Sequence, residues 1–225
     1  MSVSVVIPAW NAALYLAEAL DSVLAQSHPV DEIVVVDDGS TDATTAVCER
    51  YPSVRYERQA NAGAGAARNR GVALTSCEYV AFLDADDLWT PEKVALQVSA
   101  LHDREVEAVF ASARNFISPE RTGELAPPKP APTSMPAYIP SALMTRRGVL
   151  ERQGPFSTGG SLTDWVEWYL RFLDGGGRVF VCPELLVHRR IHGANASMRD
   201  PAGMKAYVRM LKTSIDRRRM TGRDS

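Results

Sequence analysis

Cysteine is scarce in this chain of 225 residues: Cys48, Cys77 and Cys182 are widely spaced and odd in number. Their spacing forms neither a disulfide framework nor a zinc site, and free thiols in a reducing compartment are the expectation. Long hydrophobic runs are missing too. No apolar stretch reaches the roughly 20 residues that span a bilayer. The opening MSVSVVIPAWN lacks the basic start and extended apolar core of a secretory signal, so a cytoplasmic location is expected. There is no excess of positive charge: the net charge of −2 argues against bulk attraction to nucleic acid or to anionic lipid. No internal repeat divides the sequence. What remains, 45% hydrophobic and 23% charged, is ordinary for a globular protein of one large domain or two small ones.

Apolar runs alternate with helical patterns. VSVVIP (Val3 to Pro8) reads as a buried parallel strand, with Asn11 able to cap a helix whose Leu16, Leu20, Val23 and Leu24 share one face. EIVVVDDGSTD is a second strand breaking into an acidic turn, followed by a helix through Thr44, Val47, Cys48 and Tyr51. VRYER is a short third strand. NAGAGAARNRGVAL is a Gly/Ala-rich loop running into a helix, and YVAFL is a fourth strand. Thr90-Pro91-Glu92 reads as the start of a helix striped by Val94, Val98 and Leu101. EAVFASARNF offers a fifth strand. Residues 119–140 hold a run of prolines that excludes a regular helix or central strand and reads as a mobile loop or lid. Beyond it, ALMTR reads as a strand, GVLERQG and LTDWVEWYLRFLDGGG as helices, and RVFVCPE and LLVHRRI as two strands. A last helix follows over 201–225, with Met204, Val208, Leu211 and Ile215 on one face. This alternation predicts an α/β fold: a mostly parallel central sheet with helices on both faces.

FLDADDLW sets the chemical question. It places Asp84, Asp86 and Asp87 within four positions at the end of a buried strand, where carboxylates repel one another and lose solvation. One aspartate after a strand is a turn residue. Three with Asp-x-Asp spacing call for a counter-charge, and a divalent cation such as Mg²⁺ or Mn²⁺ is the simplest. A second acidic pair, Asp37-Asp38, lies at the end of another strand. Ligands of parallel sheets bind beyond the carboxyl ends of their strands, so both clusters fall where a site is expected.

Taken together, VVIPAWNAALYLAEALDSVLAQ, EIVVVDDGSTDAT, NAGAGAARNRG, FLDADD and TDWVEWYLRF…RVFVCPELLVHRRIHGANAS resemble glycosyltransferase family 2 in their order, over nearly the whole chain from Val3 to about Ser197. The resemblance implies a GT-A-type, Rossmann-like sandwich. It implies an inverting enzyme that uses a nucleotide-sugar, a UDP-sugar first, together with Mn²⁺ or Mg²⁺. The acceptor stays open: a saccharide, a lipid-linked saccharide, a protein or a peptide. An oligomer is compatible with the pattern. Within one domain, residues 1–115 would form the nucleotide-sugar and metal half, 116–140 the proline-rich loop, 141–200 the acceptor side and 201–225 the C-terminal helix.

The same resemblance implies roles for single residues. Pro8, Ala9, Trp10 and Asn11 would line the base, with Trp10 able to stack on it. Asp38 would accept from uracil N–H. Arg68 would lie near the base and diphosphate, where Gly63 and Gly65 permit close backbone approach. Asp84 and Ala85 would lie toward the ribose, Asp86 would ligate the metal with Asp84 beside it, and His192 would reach the metal or diphosphate. Arg190 could fork onto phosphate oxygens. For the base that takes the acceptor's proton, Asp164 is the first choice and Glu167 the second, because Thr163 stands where the family carries an acid. Two rivals remain at this stage: a catalytically silent nucleotide-binding or scaffold protein on the same fold, and a phosphatase-type hydrolase reading LDADD as a nucleophile loop.

Overall fold

The computed structural model describes residues 1–118, 134–158 and 163–192. Its first half is a set of strand–helix–strand crossovers. β1 (Val3–Ala9), β2 (Glu32–Asp37), β3 (Val54–Arg58) and β4 (Tyr79–Phe82) lie side by side in the order β3-β2-β1-β4, all parallel. Parallel neighbours need long connections, supplied by α1 (Leu16–Leu24), α2 (Thr44–Cys48) and α3 (Ala64–Leu74). β2 shows why its sequence is apolar throughout rather than alternating. Val34 and Val36 pack with Ala67 and Leu74 of α3, while Ile33 and Val35 join the main core with Leu16 and Leu20 of α1. Both faces of the strand are covered, as a parallel sheet requires.

After β4 come β5 (Leu88–Trp89), α4 (Lys93–Asp103), β6 (Ala108–Ile117), β7 (Met135–Ala137), β8 (Met144–Arg146), α5 (Arg147–Gln153), α6 (Thr163–Asp174) and β9 (Val179–Ile191). The sheet continues from β4 through antiparallel β8 to β6, β9 and β5, with β7 on β6. β6 pairs antiparallel with β8, and β9 pairs parallel with β6, so both run the same way as β1 to β4. The short strands β5, β7 and β8 alone run the other way among the described residues, and the sheet is mostly parallel as expected.

Four local expectations change. RVFVCPE and LLVHRRI are one strand, β9: its register against β6 shifts between Cys182 and Leu185, where Pro183 lacks a ladder donor and a bulge absorbs it. Asn11 does not cap α1, which begins five residues later at Leu16. Instead Asn11 adopts φ 49° and its Oδ1 accepts from the Thr41 amide at 2.8 Å. α4 begins at Lys93, not at Thr90, because a distant residue serves its amino end: Gln26 Oε1 accepts from Val94 N–H at 2.9 Å. The proline-rich region yields β7 at its end, a strand with Pro136 that among the described residues pairs with β6 alone. The rest of the proposed loop (119–133) and the helix over 201–225 lie outside the described residues. No described helix is long and apolar enough to cross a membrane.

α3 packs unusually close to the sheet. A Cβ on Gly71 would stand 2.2 Å from Val6 Cγ1 in fully buried β1. Helix propensity favours Ala over Gly by about 1 kcal/mol. Here overpacking dominates, and Gly71→Ala is expected to lower stability by about 1–3 kcal/mol, read as a lower urea midpoint at unchanged slope. A raised midpoint would show that α3 is free to move off β1.

Candidate active site

β4 runs directly into the acidic cluster, and the structure gives each aspartate a different partner. Asp84 Oδ1 accepts from Arg68 Nη2 of α3 at 2.6 Å. Asp86 Oδ2 lies 2.8 Å from His192 Nε2, just after β9. Asp87 is buried: its Oδ2 accepts from Ser141 Oγ at 2.6 Å and its Oδ1 from the Arg190 amide at 3.0 Å. Burial first, then the charges of Asp86 and Asp84, push the Asp87 carboxyl well above the usual carboxylate range. Asp87 therefore acts as a tie between β4, β9 and the turn at Ser141. Ala85 between them is buried.

The loops after β1 and β2 are stitched together on the same edge of the sheet. Pro8 and Ala9 end β1 beside Val36 and Asp37, and the Ala9 carbonyl accepts from Asp38 N–H at 2.8 Å. Asn11 N–H donates to Ser40 Oγ at 2.9 Å. Trp10 is 51% exposed at this junction, which removes a role in the core and leaves its ring available for stacking. Asp37 is fully buried. Burial would raise its carboxyl, but hydrogen bonds from Tyr56 and Ser40 and the charge of Arg58 outweigh it and hold it below its ordinary value. Asp38 organises the Gly-rich loop: Oδ1 accepts from Gln59 Nε2 at 2.7 Å and Ala62 N–H at 2.9 Å, and Oδ2 from Gly63 N–H at 2.8 Å. Gly63, at φ 91°, supplies the left-handed residue that starts α3.

α3 also joins the acidic cluster to α6. A Cβ on Gly65 would stand 2.9 Å from Asp164 Oδ2 and 2.1 Å from the Ser157 carbonyl. Only glycine lets Asp164, itself 4% exposed, approach the first turn of α3, whose amino-end N–H groups favour an anion. Three residues on, and thus on the same helix face, buried Arg68 holds Asp84. The Arg68 Nε is buried and has no hydrogen-bond partner among the described residues. Glu167, one turn beyond Asp164, is exposed and accepts from Ser157 Oγ.

Arg190 is 2% exposed, and its guanidinium is heavily engaged. Nε donates to the Asp86 carbonyl at 2.9 Å, Nη1 to Ser118 Oγ at 3.3 Å and Nη2 to Glu18 Oε2 at 2.9 Å, with the Tyr15 and Phe116 rings each 4.7 Å away. His192 packs against Tyr15, ring centroids 4.8 Å apart.

Among the described residues no three or more His, Cys, Asp or Glu side chains converge as a closed cation cage. The donor set nonetheless fits Mn²⁺ or Mg²⁺. These ions commonly take one or two protein ligands and fill the remaining positions with phosphate and water oxygens. Asp86, with 28% of its side chain exposed, and the adjacent His192 imidazole offer such a pair. Sequence reasoning missed Ser141, which accepts from Asp84 N–H at 3.1 Å while donating to Asp87, and Glu18, the carboxylate facing Arg190. Neither carries a local signal, since each partner lies 50 or more positions away in the chain.

A family model described as glycosyl transferase family 2 matches residues 4–154. An uncharacterized glycosyltransferase of Nostoc sp. strain PCC 7120 is 35% identical over 224 residues, covering 88% of this chain and 67% of that protein. Among solved structures, S. aureus TarS 1-349 in complex with UDP superposes with a TM-score of 0.70 at 20% identity, over 96% of this chain and 65% of that one. The mannosyltransferase PcManGT from Pyrobaculum calidifontis, in complex with GDP-Man and Mn²⁺, does so with a TM-score of 0.67 at 23% identity, over 86% of this chain and 58% of that one. At those identities the two structures speak for the GT-A fold alone. The matched model and the Nostoc relative carry the assignment of activity: this chain belongs to glycosyl transferase family 2 and is a glycosyltransferase.

Proposed function

We propose that the chain moves a sugar from a nucleotide-sugar, a UDP-sugar first, to an acceptor hydroxyl by inverting displacement, with Asp164 as the base. The observation that carries this reading is the first turn of α3. One helix face brings Gly65 against Asp164 and Arg68 against Asp84. The residue proposed to take the acceptor's proton thus stands beside those proposed to hold the donor.

The donor's base would lie at the junction of the β1 and β2 loops, stacked on Trp10 above Pro8, Ala9 and Asn11. Among the described residues Asp38 Oδ2 accepts one hydrogen bond, from Gly63 N–H, and a second lone pair would take uracil N3–H. Asp84 would face the ribose, and the buried Arg68 Nε would donate to a diphosphate oxygen. Asp86 and His192 would hold the cation, with Asp84 beside them. When bound, the cation offsets the negative charge that gathers on the departing diphosphate. Arg190 would serve by holding the Asp86 carbonyl and the end of β9, a positioning task its contacts favour over direct phosphate contact. The Asp164 carboxylate would receive the acceptor's hydroxyl proton as the new bond to the anomeric carbon forms. Its burial and its place against α3 favour it over exposed Glu167.

UDP is expected to bind at least about tenfold more tightly in Mn²⁺ than in EDTA, since Asp86, unlike Asp84 with its Arg68 partner, would face a diphosphate without a full counter-charge. Asp86→Ala and His192→Ala should each reduce that metal-dependent gain in calorimetry, and equal affinity in both buffers would remove the cation from the site. The unmutated protein should also prefer UDP to CDP, because cytosine N3 carries no proton for Asp38; equal affinities would reassign Asp38 to loop organisation alone. In single-turnover transfer to a verified acceptor, Asp164→Asn is expected to lose about 10²–10⁴-fold in rate with nucleotide-sugar affinity nearly unchanged, and Glu167→Gln far less. The reverse order would move the base one helical turn.

A further inference from the structure

A column of aromatic rings runs from the core to the surface along α6, starting one residue after Asp164. Trp168 stacks on Phe172 at 5.7 Å and 2°, Trp165 on Trp168 at 5.6 Å and 24°, and Trp165 on Tyr169 at 5.7 Å and 9°. Tyr138 extends the column, stacked on Tyr169 at 5.7 Å and 25°, with Phe110 at its side at 5.3 Å. Exposure rises along it: Phe172 and Trp168 are fully buried, Trp165 nearly so, Tyr169 partly, and Tyr138 is 47% exposed. Tyr138 meets Tyr169 face to face and Phe110 at a tilt of 58°, and nearly half of its surface stays exposed. The ring is held firmly. The Tyr138 carbonyl accepts from Trp165 Nε1 at 3.0 Å, and the neighbouring Ala137 pairs with Ala111 of β6.

Tyrosine is enriched at contact surfaces because its ring offers an apolar face and a polar tip together. We propose that Tyr138, seated on Tyr169, is the acceptor platform of this glycosyltransferase and takes a hexopyranose ring. The proposal rests on the reading of Asp164 as the base, whose helix carries the column. The size and chemistry of the surface choose the occupant. A pyranose has one face of C–H bonds about as large as a single phenol ring, and hydroxyls around its edge. Stacked on Tyr138, it would cover the apolar face while its rim stays hydrated or meets the phenol oxygens. A lipid chain needs a wider apolar patch, and the exposed large hydrophobic residue nearest in sequence among the described residues is Met135.

The test is saturation-transfer NMR on the full chain with UDP and Mn²⁺, using the methyl glycosides of glucose, galactose, mannose and N-acetylglucosamine as probes, with N-acetylphenylalanine amide alongside. At least one glycoside is expected to receive saturation mainly on the protons of one ring face. Tyr138→Ala should cut that signal about fivefold or more, and Tyr138→Phe should keep it within about twofold, since the stacking face survives. Silence from every glycoside, an undiminished signal in Tyr138→Ala, or saturation of the amide in place of the sugars would overturn the proposal. UDP titration of the same unmutated sample separates the two readings. Normal metal-dependent UDP binding with silent glycosides removes the platform alone, whereas absent UDP binding removes the donor reading beneath it.

Discussion

Three carboxylates packed into four positions at the end of a buried strand would repel one another, and the site depends on their being divided among different partners. Arg68 neutralises Asp84 from α3, His192 faces Asp86 from the end of β9, and Asp87 is buried against Ser141 with its carboxyl pushed toward the neutral form. The separation does structural work as well. Each tie fastens a different element to the loop after β4, so the residues that would meet a donor are held by the same contacts that relieve their repulsion.

α3 is the strut of this arrangement. Its entry is fixed by Asp38 through the amides of Ala62 and Gly63, and its first turn admits Asp164 at Gly65. The next turn sends Arg68 to Asp84, Asn69 exchanges two hydrogen bonds with the Phe156 backbone, and Gly71 rests on Val6. The Gly/Ala-rich composition of NAGAGAARNRG is thus a matter of proximity. Small side chains let one helix lie close to the sheet, to α6 and to the acidic loop at once. On the far side Arg190 plays a comparable part, joining β9 to α1 through Glu18 and Tyr15 and to the Asp86 carbonyl. The end of β9 and the acidic loop are therefore held as one unit, which keeps His192 beside Asp86.

Much of this was legible in the sequence, and for local reasons. Uninterrupted apolar runs ending in Pro8, Asp37 and Leu83 mark strands buried on both faces, and the alternation with helices implies a parallel sheet whose carboxyl edge carries the acidic turns. The glycosyltransferase family was readable because its motifs recur in order. Asp84, Asp86 and His192 were identified together, and the structure brings Asp86 and His192 into contact across more than a hundred positions.

The amino-acid sequence by itself determined the strand and helix alternation, the acidic edge and the glycines that let a helix come close, because these follow from short-range periodicity and backbone freedom. Only the tertiary structure decided which carboxylate does what. Asp37 and Asp38 are neighbours of identical type, yet one faces Tyr56 and the other the amides of the Gly-rich loop. Asp164 and Glu167 lie three residues apart on one helix, yet the first is buried where Gly65 comes close and the second stays in solvent. Two predicted strands merged into β9 because register against β6, not local propensity, settles whether a ladder continues past a proline. Ser141 and Glu18 were silent for the same reason: a hydrogen bond across 50 or more residues is a property of packing, and nothing in the neighbouring sequence encodes it.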